Sequence, residues 1–223
     1  MKAKISEIFD SIQGEGIYQG EKQVFVRFFE CNLNCAFCDT RLNFYKEMIV
    51  NEVLHKIGSF SNYHSVSLTG GEPLLQMDFL KELAYCLKDE GETLYLETNG
   101  TLPNNLNEVI EHIDIVAMDF KLPSSTQAGD FWNEHHQFLE IALEHGKEVF
   151  IKAVVGKNTD IEDILKSMEI IRSLKADVPF ILQPQNPFED ILQSQLEFFE
   201  GICREQGVQV KVIPQMHKKI GIK

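Results

Sequence analysis

Seven short apolar runs recur along the chain, and helical patterns separate most of them. The runs are rich in β-branched residues and are nearly continuously apolar, as strands buried on both faces are. They cover residues 24–29, 65–69, 93–98, 113–120, 148–155, 180–184 and 208–213. Strands that alternate with helices indicate a parallel sheet with crossover helices.

The helical patterns between these runs show apolar residues at the spacing of one helix face. They are clearest at Leu80, Leu83, Ala84 and Leu87 and at Ile161, Ile164, Leu165 and Met168. The sequence "TDIE" at 159–162 predicts a capping box at the start of the second helix.

The length of the chain decides between a closed and an open sheet. An eight-stranded barrel usually needs about 250 residues, and this chain has 223. We therefore predict an α/β fold, an open partial TIM-like barrel of about six parallel strands with crossover helices. We expect one domain over 1–223, with a short N-terminal extension over 1–22 that helps to bind the substrate. Ligands bind such sheets at the carboxyl ends of the strands.

Composition narrows the class of partner. The formal net charge is −13, which disfavours nucleic acid because a phosphate backbone requires a positive surface. No apolar run reaches the roughly 20 residues of a membrane span, and "MKAKISEIFD" lacks the apolar core of a signal peptide. We expect a cytoplasmic enzyme that acts on a small molecule. Five cysteines, an odd number, favour a reducing compartment and metal ligation over a disulfide framework.

Three of the cysteines, Cys31, Cys35 and Cys38, crowd into the loop "CNLNCAFCDT" directly after the first strand. A structural zinc site needs four ligands, and no His lies within ten residues of this loop. Cys86 and Cys203 lie on apolar helical stripes and are predicted to be buried core thiols. Three thiolates instead suit a 4Fe–4S cluster that keeps one iron without a protein ligand. That iron can chelate S-adenosylmethionine. A zinc site or inert thiols remain the alternative.

Polar motifs follow the next three strands, namely "LTGGEP" at 68–73, "ETNGT" at 97–101 and "MDFK" at 118–121. Each of these alone is an ordinary strand end. Their common position on one rim predicts a shared pocket. The cysteine spacing, with Phe37 before the last cysteine, resembles the signature of the radical S-adenosylmethionine (radical SAM) superfamily, and "GGEP" resembles its Gly-Gly-Glu-Pro motif.

The stretch "FDSIQGEG" at 9–16 with "VFVRFFECNLNCAFCDT" resembles the 7-carboxy-7-deazaguanine synthase family, from "IQGEG" to the final "HKKIGIK". The resemblance implies a lyase of queuosine and deazapurine biosynthesis. It would convert 6-carboxy-5,6,7,8-tetrahydropterin to 7-carboxy-7-deazaguanine with loss of ammonia. It implies a 4Fe–4S cluster, S-adenosylmethionine and Mg²⁺ as cofactors. The implied partners are a flavodoxin- or ferredoxin-like electron donor and a second copy of the chain in a homodimer.

The resemblance also implies roles for individual residues, all of them contacts to cofactor or substrate, with no further catalytic residue assigned. The cluster ligands are Cys31, Cys35 and Cys38, and the Mg²⁺ ligand is Thr40. The S-adenosylmethionine contacts are Phe37, Cys38, Asp39, Gly71, Asp119, Phe120, Lys121, Gln183, Pro184, Gln185 and Asn186. The substrate contacts are Ile12, Gln13, Gly14, Arg27, Thr69 and Lys223.

Two departures from the family pattern leave some of these roles open. Many members have Ser-Pro-Lys where this chain has "DFK", so the roles of Asp119 and Phe120 stay open while Lys121 matches. The segment 122–136 also differs from better-known members. His135 and His136 in it are predicted to be solvated helix residues.

Arg27 is expected on physical grounds to need an anionic partner. On a strand it shares one face with Phe25 and Phe29. A guanidinium among aromatic rings is costly unless an anion pairs with it. We expect the substrate carboxylate to be that anion; the alternative is an internal partner such as Glu15 or Glu72.

Other enzymes and a different class of protein share part of this pattern. A glycyl-radical-activating enzyme has the same cysteine spacing and an Asp-x-Lys strand end, but it acts on a protein and needs no pterin pocket. "IQGEG" and Arg27 argue against it. Another radical SAM enzyme is a further alternative. A non-catalytic metal-binding module would leave the rim motifs unexplained.

Overall fold

Nine strands form one open sheet in the structure, a computed structural model that describes residues 1–38, 43–175, 177–216 and 221. The spatial order of the strands is β3-β1-β2-β4-β5-β6-β7-β8-β9. Their bounds are β1 Lys2–Ile12, β2 Lys22–Phe28, β3 Lys46–Ile49, β4 Ser65–Gly70, β5 Leu94–Thr98, β6 Ile115–Phe120, β7 Glu148–Val155, β8 Phe180–Pro184 and β9 Val210–Val212.

All seven predicted runs are strands, and they pair in parallel from β2 through β4 to β9. The predicted open sheet of parallel strands is thereby confirmed, with seven such strands where about six were expected. Crossover helices connect most of them, as the right-handed packing of strand–helix–strand units requires.

Strands β1 and β3 were not predicted. Both are antiparallel and extend the sheet beyond β2 at one edge. Only Ala3 and Ile5 of β1 are buried, so the strand lacks the continuous apolar run that marks the central strands. The predicted N-terminal extension is therefore an integral strand over half of its length. Its register places Glu7 opposite Arg27 and Phe9 opposite Phe25.

Seven helices lie between the strands of the described chain. They are α1 Val50–Ile57, α2 Met77–Asp89, α3 Pro103–Val109, α4 Pro123–Thr126, α5 Trp132–Glu144, α6 Ile161–Ser173 and α7 Glu189–Glu205. Both predicted helical stripes are confirmed, in α2 and α6. The capping prediction for α6 was one residue off. Asp160 is the N-cap and accepts from the backbone N–H of Glu162, whereas Thr159 Oγ1 accepts from Gly156 N at 2.8 Å.

The core has two parts because each face of the sheet buries its own set of apolar side chains. The larger part lies between the helices and one face of the sheet. The smaller part lies on the other face and consists of Tyr95, Ile115, Ala117, Phe150 and Ile181. Side chains alternate along a strand, so the residues two positions further on point to the same side. Glu97, Asp119, Lys152 and Gln183 therefore lie directly beyond this apolar floor.

Of the helices that the structure describes, none combines the length and the apolar content that a membrane crossing requires.

Candidate active site

A cavity of about 790 Å³ lies at the carboxyl ends of the parallel strands. Strands β2 and β4 to β8 each contribute to its wall, together with the cysteine loop and the turn after β1. The predicted site residues that line it are Ile12, Gln13, Gly14, Arg27, Cys31, Cys35, Phe37, Cys38, Thr69, Gly71, Asp119, Lys121, Gln183, Pro184, Gln185 and Asn186. The predictions for Asp39, Thr40 and Lys223 lie outside the described residues.

Phe120 is the one described site residue that does not line this cavity. It is 1% exposed and its ring stacks on that of His135, with 4.9 Å between centroids. The side chain points to the helical side of the sheet, because Asp119 before it on β6 and Lys121 directly after the strand point to the cavity side.

The cysteine loop runs from the end of β2 across the rim. Its three thiols form no disulfide, and neither do those of Cys86 and Cys203. Ala36 N donates to Thr126 O at 2.8 Å, which fastens the loop to the end of α4. The segment 122–136, which departs from the family pattern, is thus the support of the cysteine loop.

Cys86 and Cys203 lie away from the cavity. Cys203 is fully buried in the core, and burial raises the pKa of its thiol to about 12. Cys86 is partly buried and packs against the same core. The prediction of a buried core thiol is therefore confirmed for Cys203, whereas Cys86 is only partly buried.

The loop thiols lie close to one another on the rim of the cavity. They are close enough that Cys31 and Cys38 both act on the pKa of Cys35. In the parts of the chain that the structure describes, no three His, Cys, Asp or Glu side chains form a group that could hold one metal ion. A cubane cluster does not need such a group, because each thiolate binds a different iron.

A cysteine binds iron as the thiolate, so the pKa of each loop thiol matters. The surroundings both raise and lower these pKa values. Burial raises the pKa of Cys31 and of Cys35, and the Lys121 ammonium opposes this at both sulfurs. The backbone N–H of Leu33 also donates to Cys31 Sγ, at 3.4 Å. A cationic side chain and N–H donors aimed at sulfur favour the charged form.

The "GGEP" turn after β4 presses its backbone against the start of the cysteine loop. A Cβ on Gly71 would lie 1.9 Å from Glu30 O and 3.0 Å from Cys31 N. Gly70 has a φ of +135° and an equally close neighbour, with Phe28 O 2.2 Å from an added Cβ. The glycines therefore allow two backbone segments to touch behind the first cysteine.

We expect Gly71→Ala to displace Cys31 and to reduce the amount of iron that the protein retains. The added carbon overlaps backbone atoms that cannot rotate away, so the free energy of unfolding should fall by at least about 2 kcal/mol. Gly201→Ala is the matched control, because that glycine lies in α7 with no atom within 4 Å of an added Cβ. It should raise the free energy of unfolding by about 0.5–1 kcal/mol. Iron content and urea unfolding measure both; equal iron retention in the two variants would contradict the expectation.

Glu72 holds this turn to the loop after β5. It is fully buried and accepts from Leu74 N at 3.1 Å, Thr98 Oγ1 at 2.9 Å and Asn99 N at 2.8 Å. Burial raises the pKa of its carboxyl to about 7, although the N–H donors oppose the shift. Glu72 therefore has partners of its own and is not the internal partner of Arg27.

Two buried lysines cross the floor of the cavity between carboxylates. Lys121 Nζ lies 2.8 Å from Asp119 Oδ2, while Lys152 Nζ lies 3.4 Å from Asp119 Oδ1 and 2.5 Å from Glu15 Oε2. Burial alone lowers the pKa of a lysine. Here the carboxylates outweigh burial, and the pKa of Lys152 is raised well above its ordinary value. Asp119 thus bridges the two cations.

Lys152 and Glu15 also line the cavity, although neither was predicted to be a site residue. Lys152 was hidden inside the apolar run of β7. A signal was present in that run, since a lysine amid apolar residues on a central strand needs an anion nearby.

The part of the cavity beside the turn after β1 carries a network of neutral and acidic side chains. Gln13 Nε2 donates to Glu97 Oε1 at 2.6 Å, and Thr69 Oγ1 donates to Glu97 Oε2 at 2.8 Å. Gln13 is 3% exposed and also reaches Gln23 Oε1 at 2.9 Å. Residues 12–14 were predicted to contact the substrate, and in the structure the Gln13 side chain forms part of the cavity wall.

Residues 214–216 close one side of the mouth against the turn after β1. Met216 N donates to Gly14 O at 2.8 Å, and Gln19 Nε2 donates to Pro214 O at 2.7 Å. Gln215 Nε2 donates to Glu15 Oε1 at 2.6 Å. The turn is therefore held by a segment from the far end of the described chain.

Arg27 lines the cavity with Phe25 and Phe29, as the strand alternation predicted. The alternative of an internal partner is realised, but the partner is Glu7, with Arg27 Nε 2.8 Å from Glu7 Oε1, and is neither Glu15 nor Glu72. Its guanidinium carbon also lies 5.6 Å from the centre of the Phe9 ring. The ion pair uses Nε; among the described residues the terminal guanidinium nitrogens have no hydrogen-bond partner. A bound carboxylate can therefore pair with that side of the group.

His135 is buried, which corrects the prediction that it is solvated. It is 1% exposed, and its Nε2 lies 3.2 Å from Asn99 O and 3.4 Å from Lys121 N. Position 135 falls on the inner face of α5 with Phe138 and Leu139. His136 is half-buried. Burial lowers the pKa of His135 to about 4.

We expect acid to destabilise the protein through His135. The unfolded chain takes up this proton near pH 6.5 and the folded chain only near pH 4, so the stability is complete above pH 6.5. It is lost as pH falls between these values, by about 3 kcal/mol. In urea unfolding of the cluster-free protein, His135→Gln should lose correspondingly less between pH 6.5 and pH 4. The Glu72 carboxyl changes the free energy of unfolding with pH in the opposite sense. It is present in both proteins, so its contribution cancels when they are compared. Identical slopes would contradict the expectation.

Comparison with known proteins agrees with this architecture. The profile of the radical SAM superfamily matches residues 26–182. A 7-carboxy-7-deazaguanine synthase from Geobacter sulfurreducens is 38% identical, with 98% of this chain and 97% of that protein covered. One from Methanothermobacter thermautotrophicus is 33% identical, with 100% and 99% covered.

Among solved structures, QueE from Escherichia coli superimposes with a TM-score of 0.66 over 95% of this chain and 94% of that one, at 24% identity. The structure titled native anSMEcpe with bound AdoMet has a TM-score of 0.59, over 82% of this chain and 60% of that one, at 17% identity. These two similarities concern the fold.

Proposed function

Since this chain belongs to the 7-carboxy-7-deazaguanine synthase family of the radical SAM superfamily, we propose that it converts 6-carboxy-5,6,7,8-tetrahydropterin to 7-carboxy-7-deazaguanine. The reaction releases ammonia and belongs to queuosine and related deazapurine biosynthesis. One observation carries the proposal most directly. The three loop thiols and the Arg27 guanidinium line the same cavity, so an anionic substrate can lie beside the cofactors.

Cys31, Cys35 and Cys38 would hold the 4Fe–4S cluster, and the wall around Gly71, Asp119, Lys121 and residues 183–186 would hold S-adenosylmethionine. When bound, these cofactors supply one-electron chemistry that removes a hydrogen atom from the substrate. The protein supplies position and shelter from water. Phe37 and Cys38 lie at the rim where the adenine would rest, with Asp39 next in the chain.

Arg27 would bind the substrate carboxylate through the side of its guanidinium that Glu7 leaves open. The Phe9 and Phe25 rings, stacked with 5.2 Å between centroids, make this part of the wall apolar and strengthen the ion pair. Ile12, Gln13, Gly14 and Thr69 would contact the pterin, with Glu97 fixing the orientation of Gln13. In this proposal Lys223 closes over the substrate.

Mg²⁺ would bind at Thr40. The ion keeps several waters and takes few protein ligands, so one hydroxyl with substrate oxygens is a sufficient set. We further propose that a flavodoxin- or ferredoxin-like protein delivers the electron and that the enzyme works as a homodimer. The five cysteines form no disulfide with one another, which supports a reducing, cytoplasmic setting.

The proposal is tested by an anaerobic assay with the carboxy-tetrahydropterin, S-adenosylmethionine, Mg²⁺ and a chemical reductant. We expect 7-carboxy-7-deazaguanine and ammonia in equal amounts, identified by mass spectrometry. A pterin without the 6-carboxylate is the matched control and should not turn over. Cleavage of S-adenosylmethionine with no deazaguanine formed would reject this substrate and favour another radical SAM activity, such as glycyl-radical activation.

A further inference from the structure

The side chain of Asn99, in the turn after β5, points at the first cysteine of the loop. Its Nδ2 lies 3.9 Å from Cys31 Sγ, within the range of hydrogen bonds to sulfur, which are longer than those to oxygen. The same nitrogen donates to Asn32 Oδ1 at 2.8 Å. An amide nitrogen carries two hydrogens, so it can serve both acceptors at once.

The orientation of this amide is determined by its other end. Asn99 Oδ1 accepts from Thr101 N at 3.0 Å and from Thr101 Oγ1 at 2.6 Å. Because a backbone N–H can only donate, the oxygen must face Thr101. The NH₂ group must then face Asn32 and the sulfur.

The backbone of Asn99 is equally constrained. Asn99 N donates to the buried Glu72 carboxylate, and Asn99 O accepts from His135. The two contacts that His135 Nε2 makes require opposite proton positions, and Nδ1 has no partner within the described chain. If the proton is on Nε2, the unpaired Nδ1 carries only a lone pair. This costs less free energy than an unpaired buried N–H at Nδ1, so His135 donates to Asn99 O.

We propose that Asn99 tunes the reduction potential of the cluster by donating a hydrogen bond to the Cys31 thiolate, with His135 as its positioning residue. One-electron reduction adds negative charge to the cluster and its thiolates. An N–H donor stabilises that added charge, and hydrogen bonds to the sulfurs are one of the factors that set such potentials. The inference rests on the proposed cluster site and deepens it.

The test is the midpoint potential of the reconstituted protein, measured by redox titration with the signal of the reduced cluster. Asn99→Ser keeps an oxygen that can accept from Thr101 N, but it is too short to bring a donor to the sulfur. We expect a shift to a more negative potential. Asn99→Asp also keeps the turn but places a carboxylate near the thiolate, and it should shift the potential further in the same direction.

Asn105→Ser is the matched control. That amide lies in α3, donates to Leu74 O at 2.8 Å and does not line the cavity. Its loss should leave the potential unchanged. His135→Leu should shift the midpoint potential in the same direction as Asn99→Ser. His135→Gln keeps a donor and should have the midpoint potential of the wild-type protein.

Each outcome decides the proposal. A wild-type potential in Asn99→Ser with a full cluster would overturn it. Loss of the cluster from both Asn99 variants would assign the residue to assembly and would also overturn the tuning role. Failure of the proposed function looks different, because the wild-type protein would then bind no cluster or form no deazaguanine.

Discussion

Replacing Cys31, Cys35 or Cys38 with Ala is expected to abolish both the iron–sulfur cluster and the reductive cleavage of S-adenosylmethionine. Each thiolate binds a different iron, so no neighbouring sulfur can take the place of a missing one. The wild-type protein, reconstituted without oxygen, should hold about four irons per chain. Iron analysis, the charge-transfer absorbance and the yield of 5′-deoxyadenosine measure the effect.

Cys86→Ala and Cys203→Ala are the matched controls, because both thiols are remote from the cavity. They should keep the cluster and the cleavage activity. Cys203→Ala should cost about 1 kcal/mol of folding stability, since a buried side chain is shortened. A tightly bound zinc ion with no charge-transfer absorbance in the wild-type protein would contradict the assignment of the loop.

Arg27→Met should leave the fold and the cluster intact while reducing substrate affinity about a hundredfold or more. Met fills a similar volume beside Phe9 and Phe25, and Glu7 is exposed enough to be hydrated, its side chain being 26% exposed. A substrate carboxylate left without its cation in an apolar wall costs about 3 kcal/mol. Pterin turnover should therefore fall far more than cleavage of S-adenosylmethionine in the absence of substrate.

Two further variants separate binding from structure at this position. Arg27→Lys should restore affinity only in part, because an ammonium cannot form a two-pronged contact with a carboxylate. Glu7→Gln keeps the shape of the internal partner and should have a smaller effect than Arg27→Met. If pterin turnover and uncoupled cleavage fall together in Arg27→Met, or if this variant unfolds, Arg27 is structural and the substrate lies elsewhere.

The parallel strands and the rim could be predicted because each is marked by a pattern within one short stretch of the sequence. A β-branched run such as that of β7 shows burial on both faces, and the polar residues at its end fall on the carboxyl edge wherever the strand lies in the sheet. The cysteine loop and the "GGEP" turn are equally local. Strand β1 was not predicted, because it lies near the edge of the sheet and its residues are mostly half-exposed. Its sequence therefore has only a weak pattern of apolar residues.

The contacts between site residues could not be predicted, because they depend on how distant segments align. Glu7 meets Arg27 through an antiparallel register that contains an irregularity between Ile5 and Glu7. Lys152 meets Asp119 because β6 and β7 pair in the register that places these two residues side by side. His135 was misjudged for a related reason, since a helix residue is buried or solvated according to which face the sheet covers.

The hydrogen bond between Gln215 and Glu15 joins residues separated by 200 positions in the chain. A ribosome delivers the turn after β1 long before its partner segment at 214–216. Contacts between such distant segments form late, since their loop-closure entropy must first be overcome. This side of the mouth is therefore completed only after strand β9, which ends at Val212, so a nascent chain whose earlier parallel strands have paired still lacks the segment that holds the turn after β1.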